Sequence, residues 1–236
     1  VIKCTDEKCT ACNIPHYEYN ARKCVHQYLD RLIKAGKVTG VFIDGGAHVG
    51  LWSLNIAQHY TKRRTVHNIF AFEPNGSTFK ILQQNAAAQG GITPIQFALW
   101  NRTQDLFLKS TAMSAGNYVS VDDREGETVT KVKAIALDDM ITGNKTRIDG
   151  IKLDIEGAEL LALNGLRQLL GANDNLILVV EFSIGWQRRF GYTTEQLLSF
   201  IQRSGFRFAR KEDRMRYAKM REPQVKTLCF VKGDIC

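Results

Sequence analysis

Apolar residues along this chain alternate between two periodicities. Val25, Leu29, Leu32 and Ile33 recur at helical spacing, which predicts an amphipathic helix over about 21–35, ended by Gly36. Val38 and then Val41-Phe42-Ile43 form a short buried-strand pattern that runs into Asp44-Gly45-Gly46-Ala47-His48-Val49-Gly50, and Leu51 to Ala57 continues as a helix. The alternation then repeats. Val66 to Phe72 reads as a strand, Ser77 to Ala88 as a helix stopped by Gly90-Gly91, and Ile92 to Leu99 as a third strand. Strands separated by helices of about ten or more residues imply a largely parallel sheet, because parallel neighbours need long crossovers.

From Asn101 to Lys133 the rhythm changes. Leu106-Phe107-Leu108, Tyr118 to Val121 and Thr128 to Ala134 are strand-like pieces broken by Gly116, Gly126 and the polar turn Asp122-Asp123-Arg124-Glu125. They predict an antiparallel excursion at the sheet edge or over the site. Leu137 to Ile141 is a helical turn, Ile148 to Ile155 a buried strand, Gly157 to Leu170 a helix and Leu176 to Phe182 a strand. Thr193 to Ile201 is a helix whose Thr193…Gln196 spacing is that of a capping box. Phe206-Phe208 and Val225 to Val231 finish the sheet. The pattern is that of a doubly wound α/β domain over 38–236, with an insertion around 101–135. A Cys-rich segment and helix over 1–37 precede it.

Composition narrows the class further. With 236 residues, 44% hydrophobic and 24% charged, the chain can bury a full core and is neither disordered nor collagen-like in type. Its longest apolar runs, such as Leu176 to Val180, fall far short of the roughly 20 residues needed to cross a bilayer. Val1 to Asp6 carry no long apolar stretch of the signal-peptide kind. The cytoplasm is therefore the first expectation, with secretion or a viral source left open, as is whatever preceded Val1. Four of six cysteines, Cys4, Cys9, Cys12 and Cys24, fall within the first 24 positions, and Cys229 and Cys236 lie at the far end. The Cys9-x2-Cys12 pair with Cys4 and Cys24 or His16 can hold zinc; free structural thiols and disulfides are the rival readings. The net charge of +8 is concentrated. Arg203 to Arg221 holds eight basic and two acidic residues, a surplus of six that suits an anionic partner such as nucleic acid, unless it serves only solubility.

The strongest chemical feature is a strand that ends in an acid and opens through glycines into a helix. Gly46 and Gly50 let the backbone approach a ligand, and the carboxylate of Asp44 can fix a ligand's ammonium or hydroxyl groups but is incompatible with a pyrophosphate; a tight structural turn without a ligand is the alternative. The G-x-G-x-x-G pattern of dinucleotide loops is absent. Glu73, at the end of the second strand, can accept both hydroxyls of an adenosine ribose or else cap the helix near Ser77. In Lys152-Leu153-Asp154-Ile155-Glu156-Gly157-Ala158-Glu159, Lys152 and Asp154 share one strand face, and polar groups there are costly unless paired or functional. Glu181, at the end of the neighbouring strand, should reach the same carboxyl-end crevice. Trp186, Phe190 and Tyr192 can form an acceptor wall, with core packing the alternative for Phe190.

Taken together, Val41 to Gly50, Ala71-Phe72-Glu73-Pro74, Ala136-Leu137-Asp138-Asp139 and Ile151 to Glu159 closely resemble the FkbM family of class I methyltransferases, over roughly residues 38–183. The resemblance implies a Rossmann-like, mostly parallel seven-stranded sheet, S-adenosylmethionine as donor, and O-methylation of sugars or other small hydroxyl-bearing molecules. By that resemblance Asp44, Gly46, Ala47, His48 and Gly50 look like the methionine-side loop and Glu73 like the ribose acid. Ala98 and Leu99 with Asn85 look like an adenine wall, and Asp154 like the acid at the transfer crevice. His48 departs from the Asn common in the family. No Asn-Pro-Pro-Tyr-like tetrad of amino methyltransferases is present.

The expected function is O-methylation of a small molecule, with RNA 2′-O-methylation through the basic stretch and a non-catalytic scaffold as alternatives. Mechanistically, Lys152, Asp154 and Glu181 are the catalytic candidates. The two carboxylates would orient the acceptor hydroxyl directly or through a divalent cation such as magnesium.

Overall fold

The computed structural model describes residues 18–109, 117–121, 129–141 and 146–234. Cys4, Cys9, Cys12, His16, Cys236, Gly116, Gly126 and the turn at 122–125 lie outside the described residues.

Helix α1 (Tyr19–Lys34) precedes strand β1 (Val41–Gly45), helix α2 (Leu51–Lys62), strand β2 (Asn68–Phe72), helix α3 (Gly76–Gln89) and strand β3 (Ile92–Ile95). The third predicted strand does not run through to Leu99. It breaks after Ile95, and β4 (Ala98–Leu99) joins a second sheet with β5 (Gln104–Lys109), β6 (Tyr118–Ser120) and β7 (Val129–Ile135). Three β-hydrogen-bonded neighbours there run β4–β7 parallel and β7–β5–β6 antiparallel, so the excursion is a four-stranded layer in the order β4-β7-β5-β6.

After the helical turn α4 (Leu137–Met140) come β8 (Gly150–Leu153), α5 (Glu159–Asn164) and α6 (Arg167–Ala172). The single helix expected over 157–170 is thus two. The break is at Gly165, where an added Cβ would stand 2.0 Å from the Trp100 carbonyl oxygen, so the chain must bend under the start of the second sheet. Strand β9 (Leu176–Ser183), α7 (Ile184–Arg189), α8 (Thr194–Arg203), β10 (Arg207–Phe208), α9 (Lys211–Ala218) and β11 (Val225–Lys232) complete the chain. Thr193 and Gln196 form the full reciprocal capping box at α8.

The main sheet has seven strands in the order β10-β11-β9-β8-β1-β2-β3. Five run parallel, and β11 pairs antiparallel to both β9 and β10, making the sheet mixed. Period two sorts its side chains between layers. Phe42, Ile177, Val179, Cys229 and Val231 face α1 and α2, where Val25, Leu29, Trp52 and Tyr60 cover them. Ile43, Ile151, Leu178, Val180 and Phe230 face α5, α6 and α8 on the other side. Each such fully buried aliphatic contributes about 1.5–3 kcal/mol. Because β1 has β2 on one flank and β8 on the other, the chain reverses its winding direction between β1 and β8. The carboxyl ends of strands at such a switch point leave an open crevice, and the chemistry-bearing residues collect there.

Candidate functional site

The crevice begins with the turn after β1. Gly46 has φ +71°, and a Cβ there would lie 1.9 Å from the Asp154 carbonyl oxygen, so only glycine allows β1 and β8 to end this close together. The amides of Gly46 and Ala47 donate to the Phe72 carbonyl at 3.1 and 2.9 Å, which ties the loop to the end of β2. The next amide, that of His48, donates to Glu73 Oε2 at 3.0 Å, while the Asn75 amide donates to Glu73 Oε1 at 2.8 Å. Glu73 therefore bridges two strand ends through its side chain. Burial pushes its carboxyl up to about 7, against the pull of those two amides. Burial, then Lys152, push the His48 imidazole down.

Lys152 is the buried centre of the site. Its ammonium donates to the Gly46 carbonyl at 2.8 Å and stands 3.4 Å from both Asp44 Oδ1 and Asp154 Oδ2. Asp44, fully buried, also accepts from Ser53 Oγ at 2.7 Å. It lies behind the crevice wall, whereas Lys152 and Asp154 form part of that wall. Gly50 stands off the wall too, and a Cβ added there would lie 2.8 Å from Leu82 Cδ1.

Glu181, projecting from β9, lines the same cavity. Burial and repulsion from Asp154, Glu156, Glu159 and Glu18 raise its carboxyl well above the usual range, and its Oε2 has no hydrogen-bond partner among the described residues. Glu156, held at φ +54°, is raised to about 8 by burial, then by Asp154 and Glu159. Glu159 shapes this turn from within, with Oε1 accepting from the amides of Ile155 and Gly157 at 3.2 and 3.1 Å. Tyr192 supports it: its hydroxyl donates to the Gly157 carbonyl at 2.5 Å and lies 3.1 Å from Glu159 Oε2.

Glu18, which no sequence signal marked, enters from the N-cap position of α1 and accepts from Trp52 Nε1 and Thr227 Oγ1. Burial and then Asp154 raise its carboxyl. Its placement depends on α1, β11 and α2 meeting, a three-way contact without sequence periodicity.

Of these groups, His48, Glu73, Lys152, Asp154, Glu156 and Glu181 line a cavity of about 250 Å³. One part is apolar, walled by Phe72, Phe97, Ala98 and Leu99, with Glu73 beside it; the other is lined by Lys152, Asp154, Glu156 and Glu181. The small sheet roofs it with Leu108, Tyr118 and Val119. Asn85 is absent from this wall, since its side-chain amide donates to the Val49 carbonyl at 2.9 Å. Of the three aromatics downstream of Glu181, Phe190 packs edge-on against Trp100 and Tyr192 is buried under the 157–160 turn, leaving Trp186 beside Tyr118 at 5.3 Å between ring centroids.

The chemistry of two donor sets bears on metal. Asp154 already faces the Lys152 ammonium at 3.4 Å and repels Glu181, and the two carboxylates gather no third His, Cys, Asp or Glu into a ligand-sized group among the described residues. The one such group described is Cys24, Asp213 and Cys229, whose ligand atoms lie within 4.8 Å of one another. Cys24 thus faces the core beside Cys229. Asp213 accepts from Arg210 Nε and Nη2 at 2.8 and 2.7 Å, so a guanidinium occupies the carboxylate that a metal would need. Arg216 Nη1 adds a contact at 3.6 Å. The basic stretch 203–221 is thereby partly neutralised internally, and none of its residues lines the cavity. No described helix is long and apolar enough to cross a membrane.

Similarity to known proteins agrees with this architecture. Residues 44–208 match the methyltransferase FkbM domain. The hexuronic acid methyltransferase AglP of Haloferax volcanii is 28% identical over 138 residues, 57% of this chain and 56% of that protein, so the chain spans about half the length of this curated relative. Among solved structures, a candidate rRNA methylase from Clostridium thermocellum aligns with TM-score 0.52 at 11% identity, covering 90% of this chain and 95% of the other. A candidate methyltransferase of Streptococcus mutans in complex with S-adenosylhomocysteine aligns with TM-score 0.50 at 8% identity, covering 91% and 96%. At these identities the solved structures speak for a class I methyltransferase-like fold and nothing finer. The family match spans more than half of the chain and includes the glycine turn, Glu73, Lys152, Asp154 and Glu181, and on that ground this protein belongs to the FkbM methyltransferase family.

Proposed function

We propose that the protein transfers a methyl group from S-adenosylmethionine to a hydroxyl oxygen of a sugar-related small molecule. The observation that carries this reading is the two-part cavity, in which an apolar slot with a buried acid adjoins a carboxylate-rich end around Lys152. The residues fit the donor. Phe72, Phe97, Ala98 and Leu99 suit adenine, and each Glu73 oxygen, having accepted one amide, keeps a lone pair for a ribose hydroxyl. The exposed side of the Gly46–His48 turn would take the methionine end. When bound, the sulfonium supplies an already activated methyl group.

What remains for the protein is alignment and proton handling. Holding an oxygen in line with a reacting carbon is worth about 7–11 kcal/mol in favourable cases, and only fixed side chains can do it. Lys152 fixes Asp154 through their 3.4 Å contact and spares it from repulsion by Asp44. Asp154 accepts the hydrogen bond of the acceptor hydroxyl and receives its proton late in the reaction. Glu181 lies across from it as a positioning group, and burial with repulsion from Asp154 raises its carboxyl toward the protonated form that donates to an acceptor oxygen.

The sugar-related acceptor is supported by the named substrate of the archaeal relative, itself matched over only part of its length. An RNA acceptor draws no support from the basic stretch, which lies off the cavity wall. Calorimetric titration tests the reading: S-adenosylhomocysteine should bind with micromolar affinity and NAD should not. Equal binding of NAD, or no binding of the former, would refute it.

A further inference from the structure

We propose that the acceptor carries an anionic group, separate from the oxygen that is methylated, and that Arg189 grips this group at the cavity mouth. The inference rests on the methyl-transfer reading and adds the chemical class of the acceptor. Arg189 closes the last turn of α7 and is exposed. Its Cζ lies 4.1 Å from the Trp186 ring centroid and 4.5 Å from that of Tyr118, and the two rings are 5.3 Å apart with a 56° tilt. Tyr118 lines the cavity and Arg189 acts on the Glu156 carboxyl that also lines it, so this trio adjoins the cavity.

Stacking engages the face of a guanidinium and leaves its N–H edge outward. Among the described residues that edge makes no hydrogen bond and no ion pair, although the neighbouring Arg188 is held by both oxygens of Glu222 at 2.9 and 3.0 Å. Two adjacent arginines are therefore used differently. One is spent on a carboxylate of the chain itself; the other is held by aromatics with its five-donor fork open, the geometry that suits a carboxylate or phosphate in bidentate fashion.

The electrostatics of the cavity give this fork a task. Asp154, Glu156 and Glu181 crowd three carboxyl groups at the inner end, and mutual repulsion already raises Glu156 and Glu181, so a further anion from the acceptor is disfavoured there. A cation at the mouth holds the anion there and turns the neutral, hydroxyl-bearing end inward. Arg189 is close enough to draw the Glu156 carboxyl downward, although burial outweighs it. The crowded carboxyl end and the open Arg189 guanidinium thus favour one orientation: hydroxyl inside, anion at the rim. The acceptor class this fits is an acidic sugar, with a carboxylate or a phosphate as the shared anion chemistry.

The test uses the full chain saturated with S-adenosylhomocysteine and titrated by calorimetry with methyl glucuronide, glucose 6-phosphate and neutral methyl glucoside. At least one anionic sugar should bind about tenfold more tightly than the glucoside, as one charge-assisted bidentate contact provides. Whichever anion binds better identifies the carboxylate or the phosphate as its source. Arg189→Gln should bring anionic and neutral sugars within about twofold, with S-adenosylhomocysteine affinity unchanged. The proposal is overturned if the glucoside binds as well as both anions, if no anionic sugar binds at millimolar concentration, or if Arg189→Gln keeps the preference. Failure to bind S-adenosylhomocysteine at the outset would instead overturn the methyl-transfer reading, and this inference with it.

Discussion

Replacing Lys152 by methionine removes the one cation between Asp44 and Asp154 while roughly keeping side-chain volume. At 3.4 Å each of the two ion pairs is worth about 5 kcal/mol of Coulomb attraction at an effective dielectric of about 20, most of it offset by the cost of burying the charges. The variant keeps the cost of burying the two carboxylates and loses the attraction that offset it. Deleting one partner of a buried pair typically costs about 3–5 kcal/mol. For a chain of this length, each kcal/mol moves Tm by about 2–4 °C, so the donor-free protein should melt about 10 °C lower. Differential scanning calorimetry measures this directly. Because Lys152 and Asp44 are buried and only Asp154 is partly exposed, the loss should change little between low and high salt. Adding Asp44→Asn removes one of the two stranded carboxylates and should recover at least about half of the deficit. A Tm within about 2 °C of the parent, or a double variant no more stable than the single one, would refute the buried-triad account.

Asp154→Asn keeps shape but cannot take a proton, so kcat should fall by about 10²–10⁴ while S-adenosylhomocysteine affinity stays within about threefold; near-normal turnover removes Asp154 from the mechanism. Glu73 sits at about 7, and ribose hydroxyls favour its ionised form, so donor binding releases a proton and should tighten as pH rises from about 6 to 8. Calorimetry across that range checks it, and Glu73→Gln should flatten the profile. The same raised carboxyl costs the donor-free fold stability as pH climbs from its unfolded value of 4.5 through about 7, because the folded state alone retains the proton there. Gly46→Ala meets a positive φ and the Asp154 carbonyl at 1.9 Å, so it should destabilise by more than about 1 kcal/mol and abolish S-adenosylhomocysteine binding in an otherwise folded chain; retained binding contradicts the close approach of β1 and β8.

What could be read from the sequence was what repeats or sits at a strand end. Period two placed Lys152 and Asp154 on one side of β8, and the glycine turn after Asp44 marked where β1 stops. The same logic put Glu181 at the matching end of β9, where it lines the same cavity. What escaped was set by contacts between distant, irregular segments. Glu18 reaches the site only because α1 docks beside β11. Asp149 binds the Thr39 and Gly40 amides and the Tyr60 hydroxyl, and its role cannot be seen without knowing that β8 lies against β1. Ile92 to Leu99 reads as one apolar run, yet it divides between two sheets, because periodicity does not say which partner strand each residue meets. Arg188 and Arg189 are chemically identical neighbours until the positions of Glu222 and Tyr118 distinguish them.

The placement of β11 sets an order on how the chain can be made. β9 is an eight-residue strand, almost wholly apolar, and its partner on one side is β8, already synthesised when β9 leaves the ribosome. Its partner on the other side is β11, which follows more than 40 residues later. The five parallel strands are thus complete in sequence while β9 still presents an open hydrogen-bonding edge, the kind of surface to which other chains add. Elongation at about 5–20 residues per second leaves that edge uncovered for several seconds. Helix α1, synthesised before every strand of the sheet, cannot seat fully until then either, because Cys229 and Val231 form part of the floor on which it rests. Completion of this sheet on the nascent chain is therefore gated by β11, and the interval before β11 emerges is when a holdase would protect the open edge of β9.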